Sequence, residues 1–178
     1  AGATLFGSDA NGAYEYAGQE YAGQMTHVEN FETCVGCHDA HALEAQGEDC
    51  ATCHGSAEVE TYRMSEVDYD GDGDIEEGLA AEISTIHEAV YTALQTYAAD
   101  TVGAPLVYDS HSYPYFFNDT NANGEADPDE ANYGNQYQSW TPRSLRAAYN
   151  YQYAAKDPGA FAHNGPYMIQ VLYDTLTD

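Results

Sequence analysis

The apolar positions of this chain recur with helical spacing in only a few stretches. In "GLAAEISTIHEAVYTALQTYAAD", Leu79, Ile83, Ile86, Val90, Leu94 and Tyr97 return at steps of three and four residues, the period of an amphipathic helix with one buried stripe. The C-terminal stretch "WTPRSLRAAYNYQYAAKDPGAFAHNGPYMIQVLYDTLTD" predicts two more helices. Thr141 caps the first and Pro142 opens it, and it runs to about Ala155. "KDPGAFAHNG" then interrupts the pattern, and Pro166 opens a second helix whose Met168, Val171, Leu172 and Leu176 share a face. Near the other end, alternating tyrosines and a glycine in "YEYAGQEYAG" predict a short N-terminal β-hairpin. The expected fold class is therefore mainly α with long loops. A chain of 178 residues is by default one domain, here in three consecutive segments: a loop-rich 1–60, an acidic stretch with the amphipathic helix at 61–135, and a C-terminal helical hairpin at 136–178.

Composition changes this picture in one respect. Aliphatic residues are sparse and tyrosine is spread along the whole chain, 17 in all, so an ordinary Leu/Ile/Val core would be thin. Charge is lopsided: 30 Asp and Glu against Arg63, Arg143, Arg146 and Lys156 give a formal charge of −26. That field argues against nucleic acid and against anionic membrane surfaces as partners. It suits a solvated surface in salty or divalent-rich water. No run of transmembrane length occurs, so membrane insertion is not expected. The chain begins at Ala1 without a methionine, and removal of an export signal is expected.

All four cysteines lie in two C-x-x-C units, Cys34/Cys37 and Cys50/Cys53. Two disulfides, a four-cysteine zinc site and covalent c-type haem attachment compete for them. The residue after each unit decides: it is histidine both times, His38 and His54. With seven histidines among 178 positions, that coincidence arises by chance about once in 600. Zinc does not ask for it, whereas haem does, each cysteine adding to a vinyl group and the histidine reaching the iron. Two haems would also supply the apolar bulk that the composition lacks, with tyrosines such as Tyr113 and Tyr115, and Phe116, expected to wrap the macrocycles.

Each iron then needs a sixth ligand or an open position. His27, His41, His87, His111 and His163 remain, with Met25, Met64 and Met168 as thioether alternatives. If the turn after Cys37 continues as helix, His38 and His41 project from the same side and cannot serve one iron from opposite faces. His27 precedes the first motif and can fold back over a haem. His163 precedes a helix among small residues, well placed to enter a haem pocket. His87 lies one step off the apolar stripe and reads as rim.

Two acidic runs carry a second candidate chemistry. "DTNANGEADPDE" matches a calcium loop throughout, with Asp119, Asn121, Asn123, Glu125, Asp127 and Glu130 as ligand positions. "DYDGDGDIEEGL" matches only its first half: Asp68, Asp70, Asp72 and Asp74 fit, but position twelve is Leu79. Glu77 or Glu82 would have to complete it from a non-standard place.

The order "ATLFG…YEY…HV…CxxCHxxH…CxxCH", followed by "YPYFFND…NANGE…WTPRSLRAAYNYQYAAKDPGAFAHN…YMIQVLYD", resembles exported multihaem c-type cytochromes over nearly the whole chain. The resemblance implies a haem-centred dihaem fold, with His41, His163 and His27, in that order, as distal ligands. Three candidates for two vacancies leave one over. The resemblance also implies electron transfer outside the cytoplasm, extracellular or else periplasmic. Partners would be other redox proteins or identical subunits, assembled as a homo-oligomer or a filament with haems stacked across subunits. Two alternatives stand beside it. A soluble periplasmic shuttle would dock basic partners on the acidic surface. An open iron would make a peroxidase or an oxyanion reductase, for which the four cations are poor equipment.

Overall fold

The computed structural model describes residues 1–42 and 44–178. Among these residues the helices are α1 (Gly2–Phe6), α2 (Cys34–Cys37), α3 (Gly47–His54), α4 (Leu79–Thr96), α5 (Pro142–Ala155) and α6 (Ala160–Thr177). The predicted stripe of α4 is the buried one: Ile83, Ile86, Val90 and Leu94 all face inward. Ile83, Ile86 and Val90 pack against Met168, Ile169 and Leu172 of α6, with Ala154 and Ala160 closing the contact. A π-helical turn, Tyr97–Val102, continues α4 and shifts its register, so that Ala98 is buried where the helical step would have placed Tyr97.

α5 starts as the sequence predicts. Thr141 Oγ1 accepts the Ser144 N–H, the Ser144 hydroxyl pairs with the Thr141 backbone, and Pro142 fills the first turn. α6 is two helical runs joined at Asn164, whose backbone leaves the helix. Asn164 Oδ1 accepts the Tyr167 N–H at 3.2 Å, capping the second run, and Pro166 sits in that run's first turn. Of the predicted face, Met168, Val171 and Leu172 are fully buried. Leu176 is exposed, and Thr175, whose hydroxyl accepts from the buried Asn150 amide of α5, is inside in its place.

The mainly α expectation holds, but the hairpin is elsewhere. Leu106–Tyr108 (β1) pairs antiparallel with Phe116–Asn118 (β2), Val107 opposite Phe117, while residues 14–21 carry no strand. The N-terminal tyrosines are spent instead on α5 and α6. Tyr14 exchanges two backbone hydrogen bonds with the buried Asn150 amide at 2.7 and 2.9 Å, Tyr21 OH donates to Asp174 at 2.7 Å, and Tyr167 OH donates to Glu15 at 3.0 Å. Phe116 belongs to a protein cluster with Leu94, Leu106, Tyr137 and Ala148, and Tyr113 is exposed. Both were expected against macrocycles, but the β-pairing turns them toward α4, α5 and solvent.

From Tyr14 to Ala81 no described residue is buried. This segment, which contains both cysteine motifs, has no apolar core of its own, and its order comes from its two ends. At the C-terminal end Leu79 N–H donates to Tyr62 O at 3.0 Å. Gly78 lies so close to that strand of chain that a Cβ would meet Glu60 O at 2.0 Å.

Asn150 is the strongest single tie at the other end, since it also donates to Thr175 Oγ1 at 2.8 Å. Replacing Asn150 with Ala removes the partner of the Tyr14 backbone groups and of the buried Thr175 hydroxyl and should cost about 1–3 kcal/mol. Urea unfolding followed by far-ultraviolet circular dichroism checks it, and an unchanged midpoint would refute the role given to Asn150.

Candidate haem-binding site

The two cysteine motifs sit on the short helices. Cys34 and Cys37 are the ends of α2, and Cys50 and Cys53 lie in the last two turns of α3, whose final residue is His54. All four thiols are free, and among the described residues no three of them converge as a metal cluster would require. The sulfurs are therefore available for thioether bonds. Gln46 N–H donates to Cys37 O at 2.8 Å and Cys50 Sγ lies 3.6 Å from Gln46 O, so the two motifs are near neighbours; burial pushes the Cys37 thiol up.

α2 ends at Cys37. His38 is extended, at φ −110° and ψ 138°, and bridges to Ala45. Asp39 then caps a turn by accepting the His41 and Ala42 N–H groups at 2.8 and 2.7 Å. This corrects the expectation of a continuing helix: His38 and His41 are not on one helical face, and His41 is exposed in the turn.

Each motif histidine faces a second histidine from a distant part of the chain. His38 and His163 have ring centres 6.2 Å apart at an interplanar angle of 38°. His54 and His27 have ring centres 6.2 Å apart at 37°. A metal held between two imidazoles, with bonds of roughly 2 Å on each side and about 1 Å from nitrogen to ring centre, separates ring centres by about 6 Å. Both pairs fit an iron between them, and with the free thiols alongside, the residues present fit two c-type haems.

Each partner ring, that of His163 and that of His27, is delivered by a specific local device. For His163 it is the interruption at Asn164, which ends the first run of α6 one residue later. Gly159 makes room for the ring, since a Cβ there would meet His163 Cε1 at 2.9 Å. His163 Nδ1 lies 2.7 Å from Asp157 Oδ1, so with the proton on Nδ1 the Nε2 lone pair is the one presented to a metal. Burial pushes the Asp157 carboxyl up, but the hydrogen bond from His163 and the Ala1 ammonium 3.1 Å from Oδ2 outweigh it and hold it at about 2. For His27 the device is the N-terminal arm: Ala22 N–H donates to Gln170 Oε1 at 2.7 Å, Asn164 Nδ2 donates to Gly23 O at 2.9 Å, and Met25 N–H donates to Leu5 O at 2.9 Å. His54 is backed by Tyr62, stacked at 4.3 Å and 10°. A recess of about 320 Å³ lined by Cys53, His54, Thr61, Tyr62 and Met64 opens beside it.

The remaining histidines are otherwise engaged or exposed. His87 stacks on Tyr151 at 4.1 Å, and its Nε2 lies 2.9 Å from Tyr151 O; burial lowers its pKa, as suits a neutral packed ring. His111 is 92% exposed. Tyr62 and Asp157 went unnoticed in the sequence. Only the aspartate had a signal there, its place six residues before His163.

Against curated proteins, the chain is 27% identical over 213 aligned residues to the C-type polyheme cytochrome OmcB of Geobacter sulfurreducens, and 29% over 212 to OmcC of the same species. Each alignment takes in 99% of this chain. The chain is a homologue of multihaem c-type cytochromes. This cytochrome homologue spans only about a quarter of those relatives' length, 26% of OmcB and 25% of OmcC. No family model matches it, and no solved structure matches it.

The Asp157 carboxyl titrates at about 2 against an ordinary 3.8. Its folded value is depressed, so its stabilisation is fully present above about pH 4 and is lost as the pH falls toward 2. Asp157→Asn should therefore cost this cytochrome homologue about 2 kcal/mol at pH 7. Unfolding titrations at a series of pH values check it: the gap between the two proteins must narrow below pH 4, and a constant gap would assign it to another cause.

Proposed function

We propose that this chain is a dihaem c-type cytochrome that carries electrons without making bonds to substrate. Cys34, Cys37 and His38 would hold one haem, and Cys50, Cys53 and His54 the other. His163 and His27 would be the distal ligands. The observation that carries this reading is the pairing of four imidazole rings into two facing sets at 6.2 Å, one motif histidine in each. Bound there, the haems would supply one-electron iron couples. The protein's own part is to fix both axial nitrogens and to leave no coordination position for a substrate. Asp157 keeps the Nδ1 proton of His163 in place and raises the basicity of Nε2.

The peroxidase or oxyanion-reductase reading gains nothing from the cations. Arg63 is tied to Glu82 and to the carbonyls of Ser65, Val67 and Glu77. Arg143 and Arg146 are drawn to Asp178, and Lys156 lies over the Tyr115 ring. With these groups engaged, the field over the surface is strongly negative and repels anionic substrates.

The electrons pass to or from another redox protein or a second copy of this chain, and we infer a working place outside the cytoplasm, extracellular in preference to periplasmic. No described helix is long and apolar enough to cross a membrane. His41 belongs to neither pair and is exposed, which favours contact with an iron of a different chain that has a position open. Assembly into an oligomer or filament is the form of that contact that the sequence resemblance implies.

Spectroscopy of the dissociated holoprotein tests the ligand set. Haem quantitation should give two per chain, and electron paramagnetic resonance of the oxidised protein should be wholly low-spin. His163→Ala and His27→Ala should each convert one haem to high-spin, whereas His41→Ala should leave both unchanged. A high-spin signal from the His41 variant, or none from the His163 variant, would sink the assignment.

A further inference from the structure

The two acidic loops fold alike, including where their sequences part. In residues 119–130, Asp119 accepts the N–H groups of Asn123 and Gly124 at 3.2 and 2.8 Å, and Asn121 and Asn123 accept those of Asn123 and Glu125 at 2.9 and 2.8 Å. Glu130, the twelfth residue, closes the loop: its Oε1 accepts the N–H groups of the second and third residues, Thr120 at 2.6 Å and Asn121 at 3.3 Å. In the loop that starts at Asp68, Asp68 accepts from Gly71 and Gly73 at 2.6 and 2.9 Å, and Asp70 and Asp72 accept from Asp72 and Asp74 at 3.0 and 2.7 Å. Here the second and third N–H groups, those of Tyr69 and Asp70, donate to Glu82 Oε2, both at 2.9 Å. Glu82 is the fifteenth residue, in the first turn of α4. It does for this loop what Glu130 does for the other, while Leu79 occupies the twelfth place.

Both closing glutamates are out of solvent, Glu130 at 2% exposure and Glu82 at 0%. Glu130 Oε2 is buried within its loop without a hydrogen-bond partner, and so are Asp70 Oδ2 and Glu77 Oε1 in the other. A buried carboxylate oxygen without a donor calls for a cation. Among the described residues no basic side chain pairs with Glu130, and the first loop has only Arg63, at Glu82. There the carboxylate oxygens of Asp68, Asp70 and Glu82 lie within 4.8 Å of one another, as do those of Asp70, Asp72 and Glu77.

We propose that both loops bind calcium, closed by Glu130 in one and by Glu82 in the other. The donors are all oxygen and drawn from many protein groups, which suits a hard cation of high coordination number and disfavours zinc, copper and octahedral, water-rich magnesium. The first site borders the second cysteine motif. Arg63, which pairs with Glu82, directly follows Tyr62, and Tyr62 stacks on His54.

Isothermal titration of chelator-stripped holoprotein with calcium tests this, with the Soret band as the check on folding. Two calcium ions per chain are expected. Glu130→Gln should remove one site. Glu82→Gln should remove the other, and because Glu82 is buried, Asp72→Asn at an exposed position of the same loop provides an independent variant that should weaken that site at least about tenfold. No saturable binding at millimolar calcium overturns the proposal for both loops. A second site that survives Asp72→Asn unchanged overturns it for the first.

Discussion

Asn164 is buried where the N-terminal arm meets α6. Its side-chain oxygen caps the second run of α6, and its nitrogen holds Gly23 O on the N-terminal arm. One amide therefore interrupts the helix just after His163 and anchors the arm a few residues before His27. A buried amide with both ends paired tolerates little displacement, since either partner left alone would lose its donor or acceptor inside the protein. The rings of His163 and His27 consequently share a fixed reference.

That reference matters because the intervening chain cannot provide its own. Residues 14–81 bury no described side chain, whereas α4, α5 and α6 enclose a well-packed core. The molecule thus divides the work: aliphatic burial stabilises the helical half, and the motif-bearing half hangs between Asn164 and Asn150 at one end and the Tyr62–Leu79 hydrogen bond at the other. Two macrocycles bonded to four cysteines would give that half the apolar centre that its own side chains do not form. The sparse aliphatics and abundant tyrosines have the same explanation. Tyr21, Tyr153 and Tyr167 each use ring area for packing and a hydroxyl for a hydrogen bond.

The acidic loops follow a similar logic of closure from outside. Each folds its backbone around side-chain oxygens and depends on a buried glutamate to finish the ring. In the first loop that glutamate comes from a helix of the core, so the loop's geometry is tied to α4, and through Tyr62 to the ring of His54. So many converging carboxylates repel one another, and a divalent cation bound among them would relieve that repulsion.

Local order determined most of what the sequence made legible. The α4 stripe, the Thr141 cap with Pro142, the second helix beginning near Pro166 and the two C-x-x-C-H motifs each depend on residues within a few positions of one another, and their physics is complete at that range. The tertiary structure decided what depends on distant partners. It paired His163 with His38 and His27 with His54, and it set His41 apart by turning the chain at Asp39 directly after α2. It moved the hairpin to 106–118, because the tyrosines of 14–21 find better partners on α5 and α6 than on each other. It put Glu82 where a twelfth-position carboxylate would close the loop, since about one extra helical turn brings its oxygen to the Tyr69 and Asp70 N–H groups. Spacing along the chain encodes helices and covalent motifs, but a ring facing a ring across more than a hundred residues is fixed only when the core between them has packed.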